Sequence, residues 1–106
     1  MDLKPLPKEI AEDSRLHPLV EHANELLRDK IAPANESVTA SWSRVDSKGW
    51  DLLTLDLLDS ATGDRGTTVF NANELINDEY LLKRLHGVWG DLLRGRSHRL
   101  YERLVG

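Results

Sequence analysis

Residues 36–59, ESVTASWSRVDSKGWDLLTLDLLD, decide the fold, because apolar and polar residues alternate with a period of two on either side of DSKG. That period marks half-buried strands, and Gly49 suits a tight turn between two of them. Taking residues 46–49 as the loop sets Val45 against Trp50, Arg44 against Asp51, Trp42 against Leu53, Ala40 against Leu55 and Val38 against Leu57. One face then gathers Val38, Ala40, Trp42, Leu53, Leu55 and Leu57 and ends in the opposite charges of Arg44 and Asp51. The other gathers Thr39, Ser41, Ser43, Thr54 and Asp56. A slip of one residue would mix the two sets, so their separation favours this pairing.

A third strand follows SATGDRG at residues 60–66. With Thr62 and Gly63 at its tip, Leu57 meets Thr68 and Leu55 meets Phe70, so the single Phe joins the apolar face. The other face is not wholly polar. Leu58 and Val69 fall on it at one end, and Val45, Trp50 and Leu52 at the other.

Upstream, HPLVEHANELLRDKIAP at 17–33 has a helical stripe of Leu19, Val20, Ala23, Leu26, Leu27 and Ile31. Pro18 suits its first turn and Pro33 follows its end. Residues 1–16, with Pro5 and Pro7, read as a flexible lead with one helical turn around 9–13. Downstream, NANELINDEYLLKRLHGVWGDLL at 71–93 returns to helical period, with Leu81, Leu82, Leu85, Val88, Trp89, Leu92 and Leu93 on one stripe. Asn71 with Glu74 fits a capping box, and Asn77 offers a second cap. RGRS at 94–97 interrupts the stripe at Gly95, and Ser97 is placed to cap a last short helix. The expected fold is α+β: a three-stranded antiparallel β-meander with helices packed on one face, in the order α-β-β-β-α-α, forming one domain over 17–106. The order resembles that of the double-stranded-RNA-binding domain. That family grips phosphate with a lysine-rich start to its last helix, whereas NDEYLLKR here opens with Asp78 and Glu79, so no family is assigned.

The chain of 106 residues has no cysteine, which excludes disulfides, thiolate metal sites and a Cys nucleophile. No apolar run approaches the roughly 18 residues that span a bilayer. The N-terminus has no basic stretch followed by an apolar one, so the expected location is cytoplasmic. The net charge of −4 hides an asymmetry: residues 83–106 hold six Lys and Arg against two acids, and residues 1–82 hold eight against sixteen. A basic tail on an acidic body can dock on that body, on a second copy, or on an external anion.

Catalytic chemistry finds little support. His17 and His22 are five apart, where a helical metal pair wants four. Asp56, Asp59 and Asp64 sit at one hairpin, with a spacing that suits turn hydrogen bonding. GDRG has no following lysine and no helix to receive phosphate. No catalytic, cofactor-binding or metal residue and no small-molecule substrate is assigned.

Three features exceed what a monomer needs. Trp50, beside Leu52, falls on the open face and reads as a binding anchor. Gly87 and Gly90 lie roughly 200° and 140° from the centre of the apolar stripe, and glycine in an exposed helix costs about 1 kcal/mol relative to alanine. They suggest close approach of a second helix, unless the helix simply bends there. The tail joins Arg94, Arg96, Arg99 and Arg103 to Tyr101. The expected function is a small non-enzymatic interaction module, adaptor or regulatory, that forms a homodimer or binds a protein partner through Trp50, Leu52, Gly87, Gly90, Arg94, Arg96, Arg99, Tyr101 and Arg103. The alternative is nucleic-acid binding through 94–103, with phosphate contacts and base stacking.

Overall fold

In the computed structural model the backbone is described for residues 1–31, 37–47 and 50–105, and the side chains for 1–31, 37–45 and 51–94. In chain order the elements are β1 (Asp2–Leu3), α1 (Lys8–Ala11), α2 (Leu16–Leu26) with a π-helical extension (Leu27–Ile31), β2 (Val38–Ser47), β3 (Trp50–Asp59), β4 (Arg65–Asn71), a 3-10 turn (Ala72–Ile76) and α3 (Asp78–Val105). The fold is α+β, as the period change predicts.

The sheet has four strands in the order β1-β2-β3-β4 and is mixed, not a three-stranded antiparallel meander. The added strand is β1, which pairs in parallel with Thr39 and Ala40 of β2. Two residues are too few to show a period, so the sequence gives no sign of it. The segment read as a lead thus supplies a strand, and Ile10 of α1 is fully buried in the core.

Both hairpins differ from expectation by two residues. Ser47 pairs with Trp50, Val45 with Leu52, Trp42 with Leu55 and Ala40 with Leu57, leaving only Lys48 and Gly49 between β2 and β3. In the second hairpin Leu55 pairs with Thr68 and Leu53 with Phe70. Its loop is held by Asp59, whose carbonyl accepts from the Gly63 N–H at 2.7 Å and whose carboxylate accepts from the Ala61 N–H at 3.0 Å. Gly63 takes φ +80°, which glycine adopts without steric cost. A slip of two preserves parity, so every residue keeps its predicted face while its cross-strand partner changes.

The core lies between the sheet and the helices. Val38, Ala40, Trp42, Leu53, Leu55, Leu57 and Phe70 come from the sheet; Leu16, Val20, Ala23, Leu27, Leu81, Leu85, Val88 and Leu92 come from the helices. Trp42 stacks obliquely on Phe70 at 5.8 Å and donates its indole N–H to the buried Asn24 Oδ1 at 2.7 Å. That bond ties α2 to the sheet and satisfies both polar groups.

Both predicted caps before α3 are present. Asn71 and Glu74 form the capping box of the 3-10 turn, and Asn77 Oδ1 accepts from the Tyr80 N–H at 3.1 Å. The break predicted at Gly95 is absent, and α3 runs unbroken to Val105. One glycine costs a helix only about 1 kcal/mol, too little to end it. The close approach of a helix to another backbone occurs elsewhere, at Gly66. A Cβ there would lie 2.7 Å from the Val88 carbonyl oxygen and 3.6 Å from the Leu92 nitrogen. Gly66 is thus where α3 crosses β4.

Candidate interaction surface

Every buried helical side chain named above faces one side of the sheet. On the other side Val45 is 45% exposed and Val69 is 40% exposed, with Leu52 half-buried between them. The observed pairing explains the grouping. Val45 is directly opposite Leu52, and Val69, opposite Thr54, sits on the next diagonal. Val69 was expected beside Leu58, but the two-residue change in pairing moves it to the Val45 end and leaves Leu58 beside Arg65. Trp50 begins β3 opposite Ser47, and its side chain lies outside the described residues.

The two edges of the sheet carry different groups. In an antiparallel ladder, residues alternate between pairs that exchange hydrogen bonds and pairs that do not. The Asp59 N–H donates to the Asp64 carbonyl at 2.8 Å, so the bonded pairs of β3 and β4 include Leu57 with Gly66 and Leu55 with Thr68. The backbone groups of Arg65, Thr67, Val69 and Asn71 therefore point away from β3. Two of these outward groups are occupied. The Val69 carbonyl accepts from Arg84 Nη2, and the Asn71 N–H donates to Glu74 Oε1 at 3.0 Å. The N–H groups of Arg65, Thr67 and Val69 and the carbonyls of Arg65 and Thr67 have no partner among the described residues.

Arg84 is positioned by the aromatic rings of Phe70 and Tyr80, with its guanidinium carbon 5.6 and 5.7 Å from their centroids. Both contacts have cation–π geometry. Tyr80 also donates to Glu74, which lowers the Glu74 carboxyl pKa, with help from the Asn71 N–H, and raises that of the Tyr80 phenol. Glu74, Tyr80 and Arg84 together form a block at the Asn71 end of β4.

The opposite edge is held by charges. Arg44 Nε and Nη2 donate to the two carboxylate oxygens of Asp51 at 2.8 and 2.7 Å, while Nη1 reaches the Glu9 carbonyl at 2.9 Å and Asp13 Oδ2 at 3.2 Å. The predicted pairing of Arg44 with Asp51 is present, but diagonally, since Arg44 faces Leu53. The Arg44 hydrogen bonds hold the Asp51 carboxyl below the usual carboxylate range. Asp13 is held low first by the N–H groups of Leu16 and Arg15, which its Oδ1 accepts at 3.1 and 2.9 Å, with Arg44 adding to the effect. All of these groups are engaged in binding α1 to the sheet.

The structure gathers only some of the residues that the sequence singled out. Leu52 is at the centre of the open-face apolar cluster. Gly87 and Gly90 lie on α3, and a Cβ on either would meet nothing within 4 Å. Among the described residues, therefore, no close approach requires glycine at either position. Arg94 is exposed and paired with Asp91 in its own helix. The side chains of Arg96, Arg99, Tyr101 and Arg103 lie outside the described residues. Arg84 and Gly66 were missed. Gly66 had a legible signal, since it falls at a core-face position of a strand where a side chain would be expected.

No described helix is long and apolar enough to cross a membrane, and no described group of three His, Asp or Glu has metal-binding geometry. Comparison of the chain with known protein families, with curated proteins and with solved structures returns no match.

Proposed function

We propose that the protein is a small non-enzymatic interaction module, adaptor or regulatory in kind, that self-associates or binds a protein partner through the open side of its sheet. The observation that carries this reading is the one-sidedness of the fold. The helices share one face, and Val45, Leu52 and Val69 stay together on the other. Contiguous exposed apolar groups rimmed by polar ones are a common mark of interaction sites. Ser43, Thr54 and Asn71 supply that rim here.

The test is a pair of variants, Val45→Glu and Trp50→Ser, followed by light scattering after size exclusion and by capture of binding partners. Val45 is exposed, so a glutamate there leaves the core untouched. Loss of assembly or of a partner, with an unchanged thermal melt, supports the reading. Full retention of both in the double variant removes this surface. A salt-sensitive complex with nucleic acid, abolished by Arg96→Glu with Arg99→Glu, would move the function to the basic segment 94–103.

A further inference from the structure

We infer that a second copy of this chain adds to the free edge of β4, joining two sheets into one about a two-fold axis at Thr67. The inference rests on the self-association part of the reading above, names the partner as a second copy, and places the contact at the β4 edge instead of the open face.

The free groups define the register. One end of the β4 edge is blocked by Arg84 and Glu74 at Val69 and Asn71, and the other by the loop that Asp59 and Asp64 close. What remains between are the N–H groups of Arg65, Thr67 and Val69 and the carbonyls of Arg65 and Thr67, a set centred on Thr67. Antiparallel pairing of that stretch with itself about Thr67 matches each free carbonyl to a free N–H. The Thr67 N–H groups and carbonyls bond reciprocally, and each Val69 N–H meets the other copy's Arg65 carbonyl. The opposite edge is less available, because β1 covers it at Thr39 and Ala40 and Arg44 binds α1 beside it.

The helix above the edge carries a second, independent match. At 100° per residue, Gly87 and Asp91 lie within about 60° of Arg84 on the α3 surface. Arg84 reaches the outward carbonyl of Val69, so this is the side of α3 that faces the edge. Because α3 crosses β4 at Gly66, beside the proposed axis, two such helices meet antiparallel around residues 87 and 88. Gly87 presents open space there, as close helix approach requires. Arg84 of one copy comes level with Asp91 of the other, so opposite charges face each other twice across the axis. Gly87 thus acquires a reason that the monomer does not supply.

The chain has no cysteine, so one introduced thiol reports the pairing. Residues opposite one another in a bonded antiparallel pair have Cα atoms about 5.5 Å apart, within the span a disulfide bridges. Under mild oxidation Thr67→Cys should give a covalent dimer of about twice 12.0 kDa, and Ser41→Cys, inside the sheet on β2, should not. Thr67→Pro should keep the native circular dichroism, since it removes an outward N–H and the exposed Thr67 Oγ1 bond to Asp56 Oδ1 but no ladder bond to β3, and should lose the dimer. Gly87→Leu, whose Cβ meets no described atom within 4 Å, should lose it too and covers the case in which proline disturbs the fold. A wild-type protein that is monomeric at all concentrations, with no Thr67→Cys cross-link, overturns the inference while leaving binding to a different protein intact. A dimer that survives Thr67→Pro and Gly87→Leu but not Val45→Glu also overturns it and assigns assembly to the open face.

Discussion

At the β1 edge of the sheet the N-terminal segment is held three ways: by two residues of parallel strand, by the buried Ile10, and by the Arg44 guanidinium bound to Asp51, Asp13 and the Glu9 carbonyl. At the β4 edge the only described groups that occupy the outward backbone are Arg84 and Glu74, and they reach just one end. Uncovered strand edges are ready templates for pairing, and folded proteins usually blunt them with charge, bulges or covering chain. The first edge is covered at Thr39 and Ala40, with α1 and Arg44 beside it, whereas the outward groups of Arg65 and Thr67 and the Val69 N–H of β4 have no partner among the described residues, which favours strand addition at β4.

The comparison can be broken hardest at Ile10. Ile10→Ala leaves a cavity under the segment that covers the first edge and should cost about 2–5 kcal/mol in chemical denaturation. A cost near zero would mean that α1 is not an integral part of the core. Next comes Gly66→Val. Its Cβ meets the backbone of α3 and cannot be relieved by a side-chain rotation, so overpacking should cost about 1–3 kcal/mol or more. It should also lift the helix from the edge.

The Arg44 clamp gives a pH signature. Asp13 and Asp51 have lowered carboxyl pKa values in the folded state. Their contribution is therefore complete above the unfolded value, near 3.9, and is lost as the pH falls through the folded values. Thermal melts between pH 6 and pH 2 should show that loss, and Arg44→Met should flatten the part due to Asp51. An identical acid profile in the variant would contradict the clamp. The smallest effect is expected at Gly90. Gly90→Ala fills open space on a helix and should raise stability by up to about 1 kcal/mol without altering self-association. Lost assembly in that variant would move the helix contact from Gly87 to Gly90.

Much of this was legible in the sequence, for reasons that also set its limits. The alternation from Val38 to Leu57 assigns each residue to a face by parity alone, so the core-facing residues of β2 and β3 were readable. Parity is indifferent to a shift of two, so the turn lengths, the diagonal placement of Arg44 and Asp51 and the position of Val69 were not. The Asn71 and Asn77 caps were readable because capping is local. β1 was hidden because its two residues are ordered by β2, thirty-seven positions away, rather than by any pattern of their own. Gly87 and Gly90 drew notice as poor helix formers, but only the reach of Arg84 to the Val69 carbonyl shows which side of the helix lies near the edge.

The most direct measurement is amide hydrogen exchange along β4 as a function of protein concentration. The Gly66 and Thr68 N–H groups bond to β3, so they should be protected at every concentration. The Arg65, Thr67 and Val69 N–H groups point outward and should exchange freely when dilute, then become protected as concentration rises and the second strand adds. Outward amides that stay unprotected at the highest concentration would contradict edge pairing and leave β4 a bare edge.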